Sequence, residues 1–306
     1  MALKIGCSIA AIQLSRDADF IDLHIDTLIP WRLWGYDFFD RNRSPFAGRF
    51  FGHLDVPRIV DGGLDGAMWS ITTNILRSAA GRWRTFQKNC ASFQSLVEGS
   101  EGALVMVRNR REYEAARAQK SHAVFLSIQG GNALELAPDG PASVAHGFLT
   151  RVTLVHLTNS CFGSSSSPVH WFRRQKGLTE EGKRLVEQLN AERVFVDLAH
   201  IHPRGFWDAV DVHDDGLPLI VTHTGVDGVR PHWRNLDDDQ IRKVAETGGV
   251  VGIMAHSGFL RRRGGPHDGS MLVEHMEHVM NVGGEDAVAL GTDYDGLITP
   301  PTDLRS

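Results

Sequence analysis

Phe20-Ile21-Asp22-Leu23-His24-Ile25-Asp26 begins as a mostly apolar run and ends in a histidine and a carboxylate two residues apart. On a strand, residues i and i+2 face the same side. His24 and Asp26 can therefore present an imidazole nitrogen and a carboxylate oxygen to one point in space. Zn²⁺ and its neighbours accept such N and O donors at about 2.0–2.2 Å. For this segment alone, a hydrogen-bonded His/Asp pair is the competing reading.

The pattern recurs along the chain. Val124-Phe125-Leu126-Ser127-Ile128 runs into Gln129, and Val152-Thr153-Leu154-Val155 into His156. Val194 to Ala199 runs into His200, Leu219 to Thr222 into His223, and Val288 to Thr292 into Asp293. If these strands are parallel, all the polar ends share one rim, where parallel α/β folds carry their chemistry.

Nine runs read as strands: Phe20–His24, Gly66–Ile71, Leu104–Val107, Val124–Ile128, Val152–His156, Val194–His200, Leu219–His223, Gly249–Ala255 and Ala287–Thr292. Several are continuously apolar, as expected of strands buried on both faces. Helical patterns alternate with them, including Arg82 to Val97, Thr179 to Gln188 with Thr179 as N-cap, and Asp237 to Thr247. The alternation predicts a (β/α)₈ TIM barrel in one domain over residues 1–306, with a doubly wound open sheet as the alternative. Leu104–Val107, short and followed by the charged stretch Arg110 to Lys120, is the surplus strand. Only thirteen residues follow Asp293. The barrel is therefore expected to lack its last helix: either the sequence is a truncated fragment, or the gap is covered by Met1 to Ala18 or by a partner chain. The Ser-rich segment Phe162 to Lys176 is expected over the rim, with His170 and Trp171 as candidate pocket residues.

Bulk properties exclude several function classes. The chain has 306 residues, 42% hydrophobic and 23% charged, with a formal net charge of −5. It carries no basic stripe of the kind that binds nucleic acid. Three widely spaced cysteines suggest neither a disulfide framework nor a thiolate metal site. No apolar run is long enough to span a bilayer, and no cleavable leader is evident. The expectation is a cytoplasmic protein acting on a small molecule, and a homodimer is compatible with it.

Taken together, His24-Ile25-Asp26, Ser127-Ile128-Gln129-Gly130-Gly131, Thr153-Leu154-Val155-His156, Val196-Asp197-Leu198-Ala199-His200, Val221-Thr222-His223-Thr224 and Gly291-Thr292-Asp293-Tyr294-Asp295-Gly296 resemble, in order, the signatures of the membrane (renal) dipeptidases. These are metallopeptidases of the amidohydrolase superfamily. The resemblance implies a (β/α)₈ barrel with two zinc ions sharing a bridging carboxylate. It implies that His24 and Asp26 bind one ion and His200 and His223 the other. It also implies that Asp293 handles the proton of the attacking water. His156 would polarise the scissile carbonyl, and Arg230 would hold the substrate carboxylate. Zn²⁺ suits mixed His/carboxylate ligation, although Mn, Fe and Co accept similar sets.

The chain departs from that pattern at Gln129, where the family has its bridging Glu. A carboxylate offers two anionic oxygens to two cations; a carboxamide offers one neutral oxygen and an NH₂ that repels metal. Glu135 lies six residues on, too far along the chain to substitute. A second ion is therefore expected to bind weakly. The leading function is metal-dependent hydrolysis of a dipeptide or similar small amide. One alternative is a mononuclear hydrolase of an ester, thioester or lactone. The other is a catalytically weak relative that acts by binding.

Overall fold

The computed structural model describes residues 8–44, 47–74, 76–144, 147–168 and 177–306. His170 and Trp171 lie outside the described residues. All nine expected strands form: β1 (Ile21–Ile25), β2 (Gly66–Thr72), β3 (Leu104–Met106), β4 (His122–Gln129), β5 (Leu149–Thr153), β6 (Phe195–Asp197), β7 (Ile220–Thr224), β8 (Val250–Ile253) and β9 (Val288–Leu290). Every pairing is parallel, in the order β1-β2-β4-β5-β6-β7-β8-β9.

The surplus strand has a geometric cause. β5 first pairs with β4 opposite Leu126, which leaves the opening residues of β4 unpaired on that edge. β3 fills it, with Leu104 opposite His122 and Met106 opposite Val124. An open edge of N–H and C=O groups is costly, and a short strand covers it.

The eight-stranded ring is nearly closed by the chain just beyond β9. The Asp26 amide donates to the Tyr294 carbonyl at 2.8 Å, and the Asp293 amide to the His24 carbonyl at 3.0 Å. Below them the Asp22 carboxylate accepts from the Thr292 amide at 2.9 Å and the Thr292 hydroxyl at 2.6 Å. A side chain thus takes over where the ladder runs out. Close approach also sets sequence here. A Cβ on Gly291 would sit 1.7 Å from the Thr222 carbonyl oxygen, so only glycine lets the chain after β9 pass the top of β7.

Helices cover the ring's outer face. Their starts follow their caps: Thr179 accepts from the Gly182 amide ahead of Glu180–Ala191, and Asp237 with Gln240 forms a capping box ahead of Asp238–Glu246. No helix follows β9 among the described residues, as expected. Of the segment expected to cover that gap, residues 1–7 lie outside the described residues. Ile9–Asp17 is a helix that buries none of its residues. Ile9 and Leu14 are exposed, so this helix does not pack its apolar side chains into the β1–β9 gap.

Candidate metal centre

Strands end earlier than the apolar runs do. β5 stops at Thr153 and β6 at Asp197, so His156 and His200 lie three residues beyond their strands. The cause at β6 is Asp197. Its Oδ1 accepts from the Ala199 amide and the Thr222 amide, both at 3.0 Å, turning the chain out of the ladder. His200 then adopts φ +65° and Asp293 φ +60°. Left-handed backbone at non-glycine residues costs free energy and collects at functional sites.

The rim brings together His24, Asp26, Gln129, His156, His200, His223 and Asp293. His24 Nε2 lies 3.7 Å from Asp26 Oδ2 and 3.5 Å from Asp293 Oδ1. The His24 and His223 rings stack at 3.9 Å between centroids. His200 and His223 face each other Nε2 to Nε2 at 2.8 Å, and the His156 ring meets His200 edge-on at 4.6 Å. Ligand atoms of His24, His223 and Asp293 all fall within 4.8 Å of one another. His156 and Asp293 are partly exposed, and the other rim residues are buried.

Electrostatics suit a cation. Burial pushes His200 and His223 well below the usual imidazole range, and Arg234 and neighbouring histidines push the same way. Burial lowers His24 too, and brings His156 down to about 4. Burial and the adjacent Asp26 raise Asp293 well above the carboxylate range. For Asp26, burial opposes ionisation, but His24 outweighs it and the carboxyl sits below its ordinary value. Two details test the fit to a metal. His24 Nε2 is buried without a hydrogen-bond partner. The two Nε2 atoms of His200 and His223 require a proton or a cation between them, because two lone pairs repel. Both are sites a divalent ion would satisfy.

Gln129 behaves as a carboxamide must. Its Nε2 lies 2.7 Å from His156 Nε2 and 3.4 Å from Asp26 Oδ2, while its Oε1 is buried without a partner. A carboxylate accepts only, so the amide NH₂ is the end that faces Asp26. Glu135 is turned away and pairs with Arg82.

Arg230 does not join this cluster. Its Nη1 donates to the Arg261 carbonyl at a separate cavity further along the same rim. The cation at the centre is Arg234, buried, donating through Nη2 to the His223 carbonyl at 2.8 Å. Sequence reading also missed Arg151. It is fully buried inside the ring and pairs with Asp197 Oδ2 at 3.1 Å. Its Nη2 lies 2.9 Å from His24 Nδ1 and 2.7 Å from Ser70 Oγ. The signal was a charged residue at the centre of the β5 run, where a packed barrel interior leaves no route to solvent. Of the Ser-rich loop, the described part does reach the rim: the Ser166 amide donates to the His200 carbonyl at 2.8 Å.

The flanking His53 is a brace. Its Nδ1 accepts from the Asp295 amide at 2.9 Å and its Nε2 meets the Gly48 carbonyl at 3.1 Å. Asp295 in turn accepts from Thr27 Oγ1 at 2.7 Å and the Gly52 amide at 2.6 Å, tying the loop after β1 to the loop after β9.

Comparison with known proteins agrees with this geometry. The family model for membrane dipeptidase, peptidase family M19, matches residues 10–306. An uncharacterised protein in the pqqA 5′ region of Klebsiella pneumoniae is 32% identical over 220 residues, covering 69% of this chain and 79% of that protein. The crystal structure of a metallopeptidase described as dipeptidase AC of family M19 superposes with a TM-score of 0.80 at 25% identity, covering 94% of this chain and 89% of that one. A Rhodobacter sphaeroides metallopeptidase bound to a phosphinate mimic of L-Ala-D-Ala has the same fold, with a TM-score of 0.76 at 24% identity over 93% of this chain and 88% of that one. With its barrel, its ordered rim residues and a family match across nearly its whole length, the chain belongs to the membrane dipeptidase family, peptidase family M19.

Proposed function

We propose that this protein hydrolyses a dipeptide or similar small amide, using one tightly held divalent cation, with zinc the best fit. The observation that carries the reading is the convergence of the His24, His223 and Asp293 ligand atoms, with Asp26 beside His24, His200 facing His223, and His24 Nε2 unpartnered. His24, Asp26, His223 and Asp293 would hold the ion, with His200 beside it. A divalent cation there supplies Lewis acidity, which acidifies water and polarises a carbonyl. Asp293, whose carboxylate faces the centre 3.5 Å from His24 Nε2, takes the proton from the attacking water and returns it to the leaving amine. His156 stands beside Gln129, its Nε2 accepting from the Gln129 carboxamide at 2.7 Å, and in this reading an imidazole N–H of His156 donates to the developing oxyanion. Arg230 pairs with the substrate carboxylate.

Gln129 supports a single ion. Without the bridging charge, the His200/His223 side offers only neutral imidazoles, with Arg234 close by. The same observation favours, as a second reading, a mononuclear hydrolase of esters, thioesters or lactones, whose better leaving groups need less activation.

The test joins metal analysis to turnover. Protein purified at neutral pH should carry about one equivalent of metal, and Gln129→Glu about two, because the added charge offsets cation repulsion. A dipeptide library with added Zn²⁺, Mn²⁺ or Co²⁺ should show hydrolysis that rises in Gln129→Glu. Two equivalents in the unaltered chain, unchanged in the variant, would refute the single-ion reading. Ester or lactone turnover without dipeptide turnover would select the second reading.

A further inference from the structure

The chain carries a net charge of −5, yet one cavity gathers arginines without acids. It measures about 660 Å³ and is lined by Arg49, Arg230, Arg261, Arg263, Arg305 and His267 among others, with no Asp or Glu in its wall. Arg262 also borders it but is neutralised by Glu274 at 2.7 Å. The five named arginines have no carboxylate within 4.0 Å among the described residues. Their polar contacts are to carbonyls: Arg230 to Arg261, Arg261 to Gly265 at 3.4 Å, and Arg305 to Ala47 at 3.2 Å. Arg230 Nε is buried and has no hydrogen-bond partner among the described residues.

The fold builds this arrangement deliberately close. Gly48, at φ +74°, approaches Arg305 so nearly that a Cβ on it would lie 2.8 Å from the Arg305 Cβ. His53 fixes the Gly48 carbonyl, and the Ser257 amide donates to the Thr299 carbonyl at 2.9 Å, joining two more walls. Those walls hang from the metal centre's own strand ends. The Arg230 carbonyl accepts from Asn235 at 2.8 Å, next to Arg234 on the His223 carbonyl. Thr299 follows Asp293 by six residues.

Like charges held together in a concavity repel, and the repulsion is relieved only by anions. Guanidinium groups pair with carboxylates through two parallel hydrogen bonds. One carboxylate would occupy Arg230 and leave the other arginines uncompensated. We infer that the cavity takes a leaving residue with a second negative charge, so that the preferred substrates are dipeptide-like amides ending in an acidic residue. This rests on the hydrolase reading above and narrows its substrate class.

The experiment compares Gly-Glu with its neutral isostere Gly-Gln on the full-length, metal-loaded protein. Binding is read by calorimetry and turnover by kcat/KM. Gly-Glu should be preferred by about tenfold or more, the worth of a charged hydrogen bond. The preference should shrink as NaCl is raised, and should fall toward unity in Arg49→Ala/Arg263→Ala. Both of those side chains are exposed, and the Arg49→Lys/Arg263→Lys variant should restore much of the ratio. Equal binding of the two dipeptides, or a ratio unmoved by the alanine variant, would overturn the inference. Succinate separates the sources of charge. Competition with Gly-Glu supports a substrate subsite, whereas succinate binding without competition would assign the cavity to a free anion and overturn it. Should neither dipeptide be turned over, the hydrolase reading fails while calorimetry still decides the cavity's preference.

Discussion

The two sides of the metal centre are built with opposite charge behind them. On the β1 side, Asp26 supplies an anion to the cavity, and the imidazole beside it, His24, is backed by the Arg151 guanidinium at 2.9 Å. On the β6–β7 side His200 and His223 bring only imidazoles, and the carboxylate within 4.8 Å of His223 is Asp293 from the loop after β9. There the backing is anionic: His223 Nδ1 meets Thr222 Oγ1 at 2.9 Å, and that hydroxyl donates to Asp197 Oδ2 at 2.8 Å. Arg151 and Asp197 join the two halves beneath the floor at 3.1 Å. A ligand histidine ordinarily donates its second N–H to an acceptor, which makes it a better ligand. His223 has that arrangement through Thr222. His24 has a weaker version of it: Ser70 Oγ lies 3.2 Å from Nδ1 as an acceptor, but the Arg151 guanidinium crowds the same nitrogen at 2.9 Å. The carboxylates around Nε2 compensate on that side. Each half thus has one favourable element, and one cation between them uses both.

The floor is the first place to break this comparison. Arg151→Met leaves Asp197 buried and without its cation. Removing one partner of a buried pair costs about 3–5 kcal/mol. The urea midpoint of Arg151→Met should fall accordingly, and Arg151→Met/Asp197→Asn should recover part of the loss. A loss no larger than that of an exposed arginine would show that the two halves are independent.

Removing the anion from the cavity is the next test. Asp26→Asn removes the β1-side carboxylate, leaves Asp293 as the remaining anion near His24 and His223, and should weaken the tight ion by more than about 100-fold, beyond the usual effect of an outer-shell partner. His200→Ala should cost no more than about tenfold, the low end for such partners. Competition with a chromophoric chelator measures both. Equal losses would mean that the ion sits midway and that the asymmetry has no consequence.

Acid sharpens the contrast by a smaller amount. The centre's histidines have depressed folded-state pKa values, so the unfolded chain binds more protons and stability falls on acidification. For His156 the window runs from its ordinary 6.5 down to about 4. Between pH 7.5 and pH 5 that residue alone should cost the metal-free protein about 2 kcal/mol. Asp22, raised to about 6 by burial, acts in the opposite sense and offsets part of the loss. Added Zn²⁺ should move the acid transition lower, since metal competes with those protons. An acid transition indifferent to metal would detach the histidines from the ion.

Much of the site was legible because each ligand closes an apolar run, and β-strand geometry places such ends on one rim. The order of the motifs sufficed to bring His24, Asp26, Gln129, His156, His200, His223 and Asp293 together. Arg230 was not placed so simply. It lies in a loop, where a register of a few residues decides between the cavity wall and the centre, and Arg234 is the arginine that reaches His223. The cationic cavity was equally hidden, since its arginines come from segments as distant as Arg49 and Arg305.

By itself the sequence determined the barrel, the surplus strand, the residues that meet at the rim and the carboxamide at Gln129. These follow from local periodicity and residue chemistry, which a linear chain carries openly. Only the tertiary structure decided which charge stands behind which ligand. Arg151 and Asp197 are 46 residues apart and His24 is 127 residues from Arg151. They meet because closing the ring forces their side chains into one dry interior, where a charge must find its partner or prevent the fold.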